Sequence, residues 1–309
     1  MTVRATILIP THDHGPTLRH SVASALNQSV SSIEVLIVGD GAPDITRQVV
    51  AELSAADDRV RYFDNPKGPR HGEIHRHAAL AEARGEIVCY LSDDDLYLPD
   101  HVEVMLAALD NADFAHALPI RIAPDDSVSG WICDLSLPFH IDLIRSGRNR
   151  IPLSCGAHRQ DFYRALPHGW RTTPKGVATD LHMWQQILGQ PGVRAASTFR
   201  PTVAHFPSPL RHDMSIDERC AELARWSVCL ESPEELRRWR ERIIAHVARE
   251  SADLERRYIE AAANRDIHKQ RYDEISGSVA IRLRDRVRSI PGRSLLRWVA
   301  RALAGPAER

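Results

Sequence analysis

A chain of 309 residues exceeds what one hydrophobic core usually organises, so one catalytic-sized domain plus an extension is expected. A composition of 43% apolar and 26% charged residues excludes a disordered or multi-spanning membrane protein. The balance of 40 Lys plus Arg against 41 Asp plus Glu excludes the basic field of a nucleic-acid binder.

Short apolar runs at 5–9, 33–38, 59–63 and 86–91 are rich in Ile, Val and Leu and bounded by Gly, Pro, Asn or Asp, which predicts strands. Between them, 17–27, 45–56 and 73–83 carry apolar residues at helical spacing. This alternation predicts an α/β fold with a mostly parallel sheet covered by helices on both faces. Such sheets bind ligands beyond the carboxyl ends of their strands, so the polar segments after the strands are where chemistry belongs. A helix is expected at 99–109, a strand at 114–118, an irregular region to about 174, a helix at 180–188 and a closing strand at 196–206.

From about Ser232 to Gly277, Gly and Pro nearly vanish, while Leu236, Trp239, Ile243, Val247, Leu254 and Tyr258 recur mostly at three, four or seven residues. That predicts a long helix, and hence a catalytic domain over 1–230 with a helical extension over 231–309. The segment 281–301 holds seven arginines and one acidic residue, interleaved with apolar side chains. It suits an anionic membrane surface, or equally a solvated basic face. No run approaches the roughly 20 apolar residues of a membrane span, and the N-terminus enters a strand without a signal-like apolar region. The five cysteines, odd in number and without a C-x-x-C pair, read as free thiols in a reducing compartment. The expected location is cytoplasmic, with peripheral contact at the inner membrane face.

Three polar segments follow the strands. Val88-Cys89-Tyr90-Leu91 runs into Ser92-Asp93-Asp94-Asp95. Three consecutive carboxylates at a strand end repel one another unless a cation sits among them, and a hard divalent ion with oxygen ligands suits that place. Capping of the helix that follows Pro99 explains the same acids. Val38-Gly39-Asp40-Gly41 offers a carboxylate beside backbone open to close approach, although a strand-to-helix turn capped by Asp44 explains the same residues equally well. The third segment is Ile9-Pro10-Thr11-His12-Asp13-His14.

Together these segments resemble the family 2 glycosyltransferases, which have the GT-A fold. The resemblance rests on Ile7-Leu8-Ile9-Pro10-Thr11, on Val38-Gly39-Asp40-Gly41 with Asp44, on Ala83-Arg84-Gly85-Glu86, and on Leu91-Ser92-Asp93-Asp94-Asp95 continuing into Leu98-Pro99-Asp100-His101, in order over residues 3–109. It implies a GT-A-type, Rossmann-like sheet and an inverting transfer of sugar from a nucleotide diphosphate-sugar to a hydroxyl acceptor on a glycan, a lipid or a small molecule. It also implies that Pro10, Thr11, His12, Asp40 and Gly41 line the nucleotide pocket, with Arg70 assisting the diphosphate. Asp93 would approach the ribose or donor sugar, Asp94 would ligate Mn2+ or Mg2+, and Asp95 would face the transferred sugar. Ser92 and Gly39 stand where the family often has acids.

An inverting transfer needs one general base. Ala178-Thr179-Asp180-Leu181 resembles the segment that supplies it, making Asp180 the base, although capping explains its position equally. His205, after the last strand, is the candidate second metal ligand, and Trp131 and Trp170 suit either sugar stacking or core packing. Two further readings stand beside this one. A nucleotidyltransferase also places carboxylates at strand ends, and an inactive homologue would use the long helix and basic tail for interaction.

Overall fold

The computed structural model describes residues 2–288, without the side chains of Glu231 and residues 275–288. It comprises two compact units, Met1–Val247 and Ala248–Arg309. The first unit begins with β1 (Ala5–Thr11), α1 (Gly15–Leu26), β2 (Ile33–Asp40), α2 (Asp44–Ala56), β3 (Val60–Asn65), α3 (Glu73–Ala81) and β4 (Ile87–Tyr90). It continues with β5 (Leu96–Tyr97), α4 (His101–Leu109), β6 (Phe114–Ile122), β7 (Val128–Ser129), α5 (Pro138–Arg145), β8 (Gly156–Arg159), α6 (Gln160–Ala165), α7 (Thr179–Leu188), β9 (Ala195–His205), α8 (Ile216–Glu231) and α9 (Pro233–Arg288), which runs into the second unit.

The sheet order is β3-β2-β1-β4-β8-β6-β9-β5, with β7 pairing β6. The first four strands are parallel, as their continuous apolar runs require: β2 and β4 are buried along their whole length. The sheet is mixed beyond them, because β8 runs antiparallel to both β4 and β6, and β5 antiparallel to β9. No alternating pattern announces β8: three of its four residues are buried, and it lies inside the segment read as irregular.

The Ala83-Arg84-Gly85-Glu86 motif is a latch between strands. Glu34, fully buried on β2, accepts from the Thr6 hydroxyl at 2.7 Å, the Arg84 N–H at 2.6 Å and the Arg84 Nε at 2.7 Å. Burial alone would raise the Glu34 pKa, but these donors outweigh it and hold the carboxyl below its ordinary range. Gly85 passes so close to β1 that a Cβ there would lie 2.3 Å from the Thr6 nitrogen. The latch sets the register in which Leu8 faces Tyr90 and Thr11 faces Gly39, bringing the ends of β1, β2 and β4 together.

The large core joins the sheet to the helices around it. A second cluster, built from Leu96, Leu98, Ile120, Ile122, Ala204, Phe206, Leu223, Trp226, Leu230, Leu236 and Ile243, seats α8 and the first turns of α9. Leu236, Trp239, Ile243 and Val247 thus follow the predicted apolar face. In the second unit Leu254 and Tyr258 are exposed, and Arg256 pairs with Asp253 and Glu260 along the helix. Among the described residues no helix is long and apolar enough to cross a membrane. The basic segment 281–301 lies, beyond Arg288, outside the described residues.

Candidate active site

The three aspartates after β4 have three different environments. Asp93 accepts from the Thr11 hydroxyl at 2.7 Å, and its other oxygen lies 3.2 Å from His14 Nδ1. The Thr17 hydroxyl, on α1, donates to the Asp93 main-chain oxygen. Asp94 Oδ2 accepts from Ser208 Oγ at 2.7 Å and from Arg219 Nη2 at 2.6 Å, while Arg219 Nη1 lies 2.8 Å from His14 Nε2. An arginine donates to Nε2 only when that nitrogen carries a lone pair, which assigns the His14 proton to Nδ1, facing Asp93.

Asp95 is turned inward. Its oxygens accept from Ser154 Oγ at 2.5 Å and the Phe206 N–H at 2.8 Å, with His205 Nδ1 at 3.1 Å. Ser154 in turn accepts from the Ser92 N–H, tying the acidic run to the chain before β8. Asp95 is 1% exposed and does not face a transferred sugar as expected, because protein donors occupy both of its oxygens. Burial opposes its charge, but His205 and the other donors win and hold its pKa down. In Asp94 the balance reverses: burial, then the charges of Asp95 and Asp93, push its carboxyl well above the ordinary range. His205 is pulled down by burial and raised more strongly by Asp95, so it forms an ion pair.

Helix capping does not account for the acids, because β5 intervenes before α4 and the N-cap residue is Asp100, which pairs with Arg240 instead of capping. His14, Asp93 and Asp94 hold ligating atoms within 4.8 Å of one another, an oxygen-rich set that fits Mn2+ or Mg2+. The expected ligand Asp94 is in this group. Its partner there is His14, whereas His205 is drawn to Asp95.

A cleft beside these residues is lined by Pro10, Thr11, His12, Asp40, Lys67, Arg70, Arg76, Ser92, Asp93, Asp94 and Ser208, among others. Gly41, Asp95, Asp180 and His205 lie outside its lining. Asp40 accepts from Lys67 Nζ and the Gly68 N–H, each at 2.6 Å, and His12 Nδ1 lies 2.7 Å from the Asp40 carbonyl oxygen. Gly72 has φ +64°, and a Cβ there would sit 2.4 Å from Asp40 Cγ. We therefore expect Gly72→Ala to displace Asp40 and weaken nucleotide binding about tenfold or more, measured by calorimetry, with the circular dichroism unchanged. Wild-type affinity in that variant would disconnect Asp40 from the nucleotide.

Asp180 stands in the first turn of α7, whose N-cap is Ala178 without a side-chain cap. Its Oδ1 accepts from the Leu181 N–H at 2.8 Å, and burial raises its pKa despite that bond, one to Asn149 and the charge of Arg76. A carboxylate raised in this way is a better proton acceptor. Arg76 is buried with its guanidinium 4.8 Å over the Trp170 ring and its Nε without a partner. Trp170 packs in the core, its Nε1 donating to the Tyr90 hydroxyl at 2.8 Å, so the packing reading holds for it.

Sequence reasoning missed Ser154, Ser208 and Arg219. The first two sit in turns without a motif. Arg219 lies on α8, whose capping box Ser215-Ile216-Asp217-Glu218 was a legible signal for a helix at that point.

The model of the family described as Glycosyl transferase family 2 matches residues 6–160. The chain is 28% identical over 113 residues to the GalNAc(5)-diNAcBac-PP-undecaprenol beta-1,3-glucosyltransferase of Campylobacter jejuni, covering 37% of this chain and 36% of that enzyme. It is 36% identical over 100 residues to the chondroitin synthase of Pasteurella multocida, covering 32% of this chain and 10% of the synthase. It therefore spans about a third or less of these relatives' length. Among solved structures, S. aureus TarS 1-349 in complex with UDP-GlcNAc superposes with a TM-score of 0.51 at 14% identity, covering 66% of this chain and 58% of that one. The same fragment without that ligand superposes with a TM-score of 0.51 at 15% identity, over 74% and 65%. At such identities the likeness is one of fold.

Proposed function

The chain belongs to glycosyl transferase family 2, and from that premise we propose that this glycosyltransferase of GT-A-type α/β fold moves a sugar, with inversion, from a nucleotide diphosphate-sugar to a hydroxyl acceptor. The acceptor is a glycan, a lipid-linked sugar or a small molecule. The observation that carries this reading is the meeting of Thr11, His14, Asp40, Asp93 and Asp94 beside one cleft, at the carboxyl ends of three adjacent parallel strands. Pro10, His12 and Asp40 shape the nucleotide end of that cleft. Asp93, fixed by Thr11 and His14, is aimed at the ribose or the donor sugar. Asp94 and His14 would hold the divalent ion, whose contribution when bound is to neutralise charge on the departing diphosphate. Arg70 and the buried Arg76 add positive charge to the same cleft. Asp180 is assigned as the base that takes the proton of the attacking hydroxyl, its raised pKa matching that task.

We assign 1–230 as the catalytic domain and 231–309 as a helical extension for peripheral membrane contact or self-association, on the exposed Leu254 and Tyr258 and the basic terminal segment. The location we propose is cytoplasmic, at the inner membrane face. Thermal-shift screening of nucleoside diphosphates and sugar nucleotides, with and without Mn2+, tests the core of the proposal. One nucleotide class is expected to stabilise the protein more in the presence of the ion; stabilisation by none of them would sink it.

A further inference from the structure

The Arg219 guanidinium sits on the lone pairs that a divalent ion would need. Its Nη2 lies 2.6 Å from Asp94 Oδ2 and its Nη1 2.8 Å from His14 Nε2, and the residue is 8% exposed. With the His14 proton on Nδ1 facing Asp93, Nε2 is the nitrogen left to ligate. A guanidinium and a divalent ion cannot share these two atoms: His14 Nε2 has a single lone pair, Asp94 Oδ2 already accepts from both Ser208 and Arg219, and the cations repel. The Arg219 Nε has no partner, so this buried donor has hydrogen-bonding capacity to spare.

The helix that carries Arg219 is held independently of it. Arg211 forms a buried pair with Glu222 at 2.6 and 2.7 Å and donates to the Ile122 carbonyl oxygen at 3.1 Å. The capping box at Ser215 secures the first turn of α8, and Leu223, Trp226 and Leu230 fix its inner face. The Arg219 side chain can therefore move while α8 stays in place. Ser208 Oγ, 3.2 Å from Arg219 Nη2 and 2.7 Å from Asp94 Oδ2, offers an intermediate hold.

Resting on the reading of Asp94 and His14 as the residues that would hold the ion, we propose that Arg219 is an exchangeable counter-cation. It neutralises Asp94 in the metal-free protein, yields Asp94 Oδ2 and His14 Nε2 to the entering ion, and then turns its guanidinium to the donor diphosphate, for which its planar fork is suited. Arg219 is thus a diphosphate-binding residue supplied by a helix outside the stretch that matches the family model.

The test uses the full chain and Mn2+ alone, with free Mn2+ followed by electron paramagnetic resonance. Arg219→Met removes the competing cation and is expected to bind Mn2+ about tenfold more tightly than wild type. Arg219→Lys, whose ammonium reaches one of the two atoms, is expected to fall between them, and it carries the test should the Met variant not fold. With Mn2+ saturating, pyrophosphate is expected to bind Arg219→Met about tenfold more weakly than wild type, because the freed guanidinium is gone. If wild type binds Mn2+ and both variants bind it no more tightly, the exchange is wrong while the metal site stands. If none of the three binds Mn2+, the metal reading falls as well and Arg219 is a permanent cation.

Discussion

Replacing Asp94 with Asn is expected to lower Mn2+ affinity more than about a hundredfold, since changes to groups that merely support metal ligands already cost ten- to a hundredfold. Donor binding should lose its dependence on the ion in the same variant. The stability of the metal-free protein should change little, because two effects of the substitution oppose each other. Asn gives up the charge attraction to Arg219, whose Nη2 lies 2.6 Å from Asp94 Oδ2. It also relieves a buried carboxylate whose ionisation is disfavoured first by desolvation and then by Asp95 and Asp93. Ser208 keeps a partner, because the amide oxygen still accepts from its hydroxyl. Manganese titration and thermal unfolding on the same samples separate the outcomes. Retained manganese affinity would remove Asp94 from the metal site, whereas a large fall in the unfolding temperature would make its role structural.

Asp180→Asn should behave differently. Asn fits the same space and its oxygen still accepts from the Leu181 N–H, so the turn at the start of α7 is preserved. It cannot take a proton. Transfer is expected to fall by roughly 10²–10⁴-fold, the usual contribution of a positioned base, while the affinity for the stabilising sugar nucleotide, measured by calorimetry, stays within about twofold of wild type. Release of nucleoside diphosphate from that donor supplies the rate. A rate within tenfold of wild type would show that another group takes the proton, and a parallel loss of donor affinity would place Asp180 in the donor pocket. In the fold Asp180 lies outside the cleft lining, beside Asn149 and Arg76.

Much of this fold is legible along the chain. The parallel half of the sheet follows from runs such as Ile33–Asp40, which are apolar because both faces are covered, and α1 to α3 follow from periodicity alone. The sequence also places Thr11, Asp40 and Asp93–Asp95 after strands, and strands paired in parallel bring their carboxyl ends to one edge whatever their exact register. What it does not carry is direction within a cluster. Asp93, Asp94 and Asp95 are chemically identical, and only the partners that arrive from far along the chain make the first a cleft carboxylate, the second a charge-strained carboxylate paired with an arginine and the third an inward clamp. Those partners, Thr11, Ser154, His205 and Arg219, come from 59 to 125 residues away.

The Ser92–Asp95 run by itself determined a concentration of carboxylates at this strand end, whose mutual repulsion favours a cation or a helix end beside it. That an arginine pairs with Asp94 there was decided by tertiary structure alone. Closing the chain from β9 through α8 brings an arginine back to Asp94, a placement set by the packing of Leu223, Trp226 and Leu230 and by no local pattern around the aspartates.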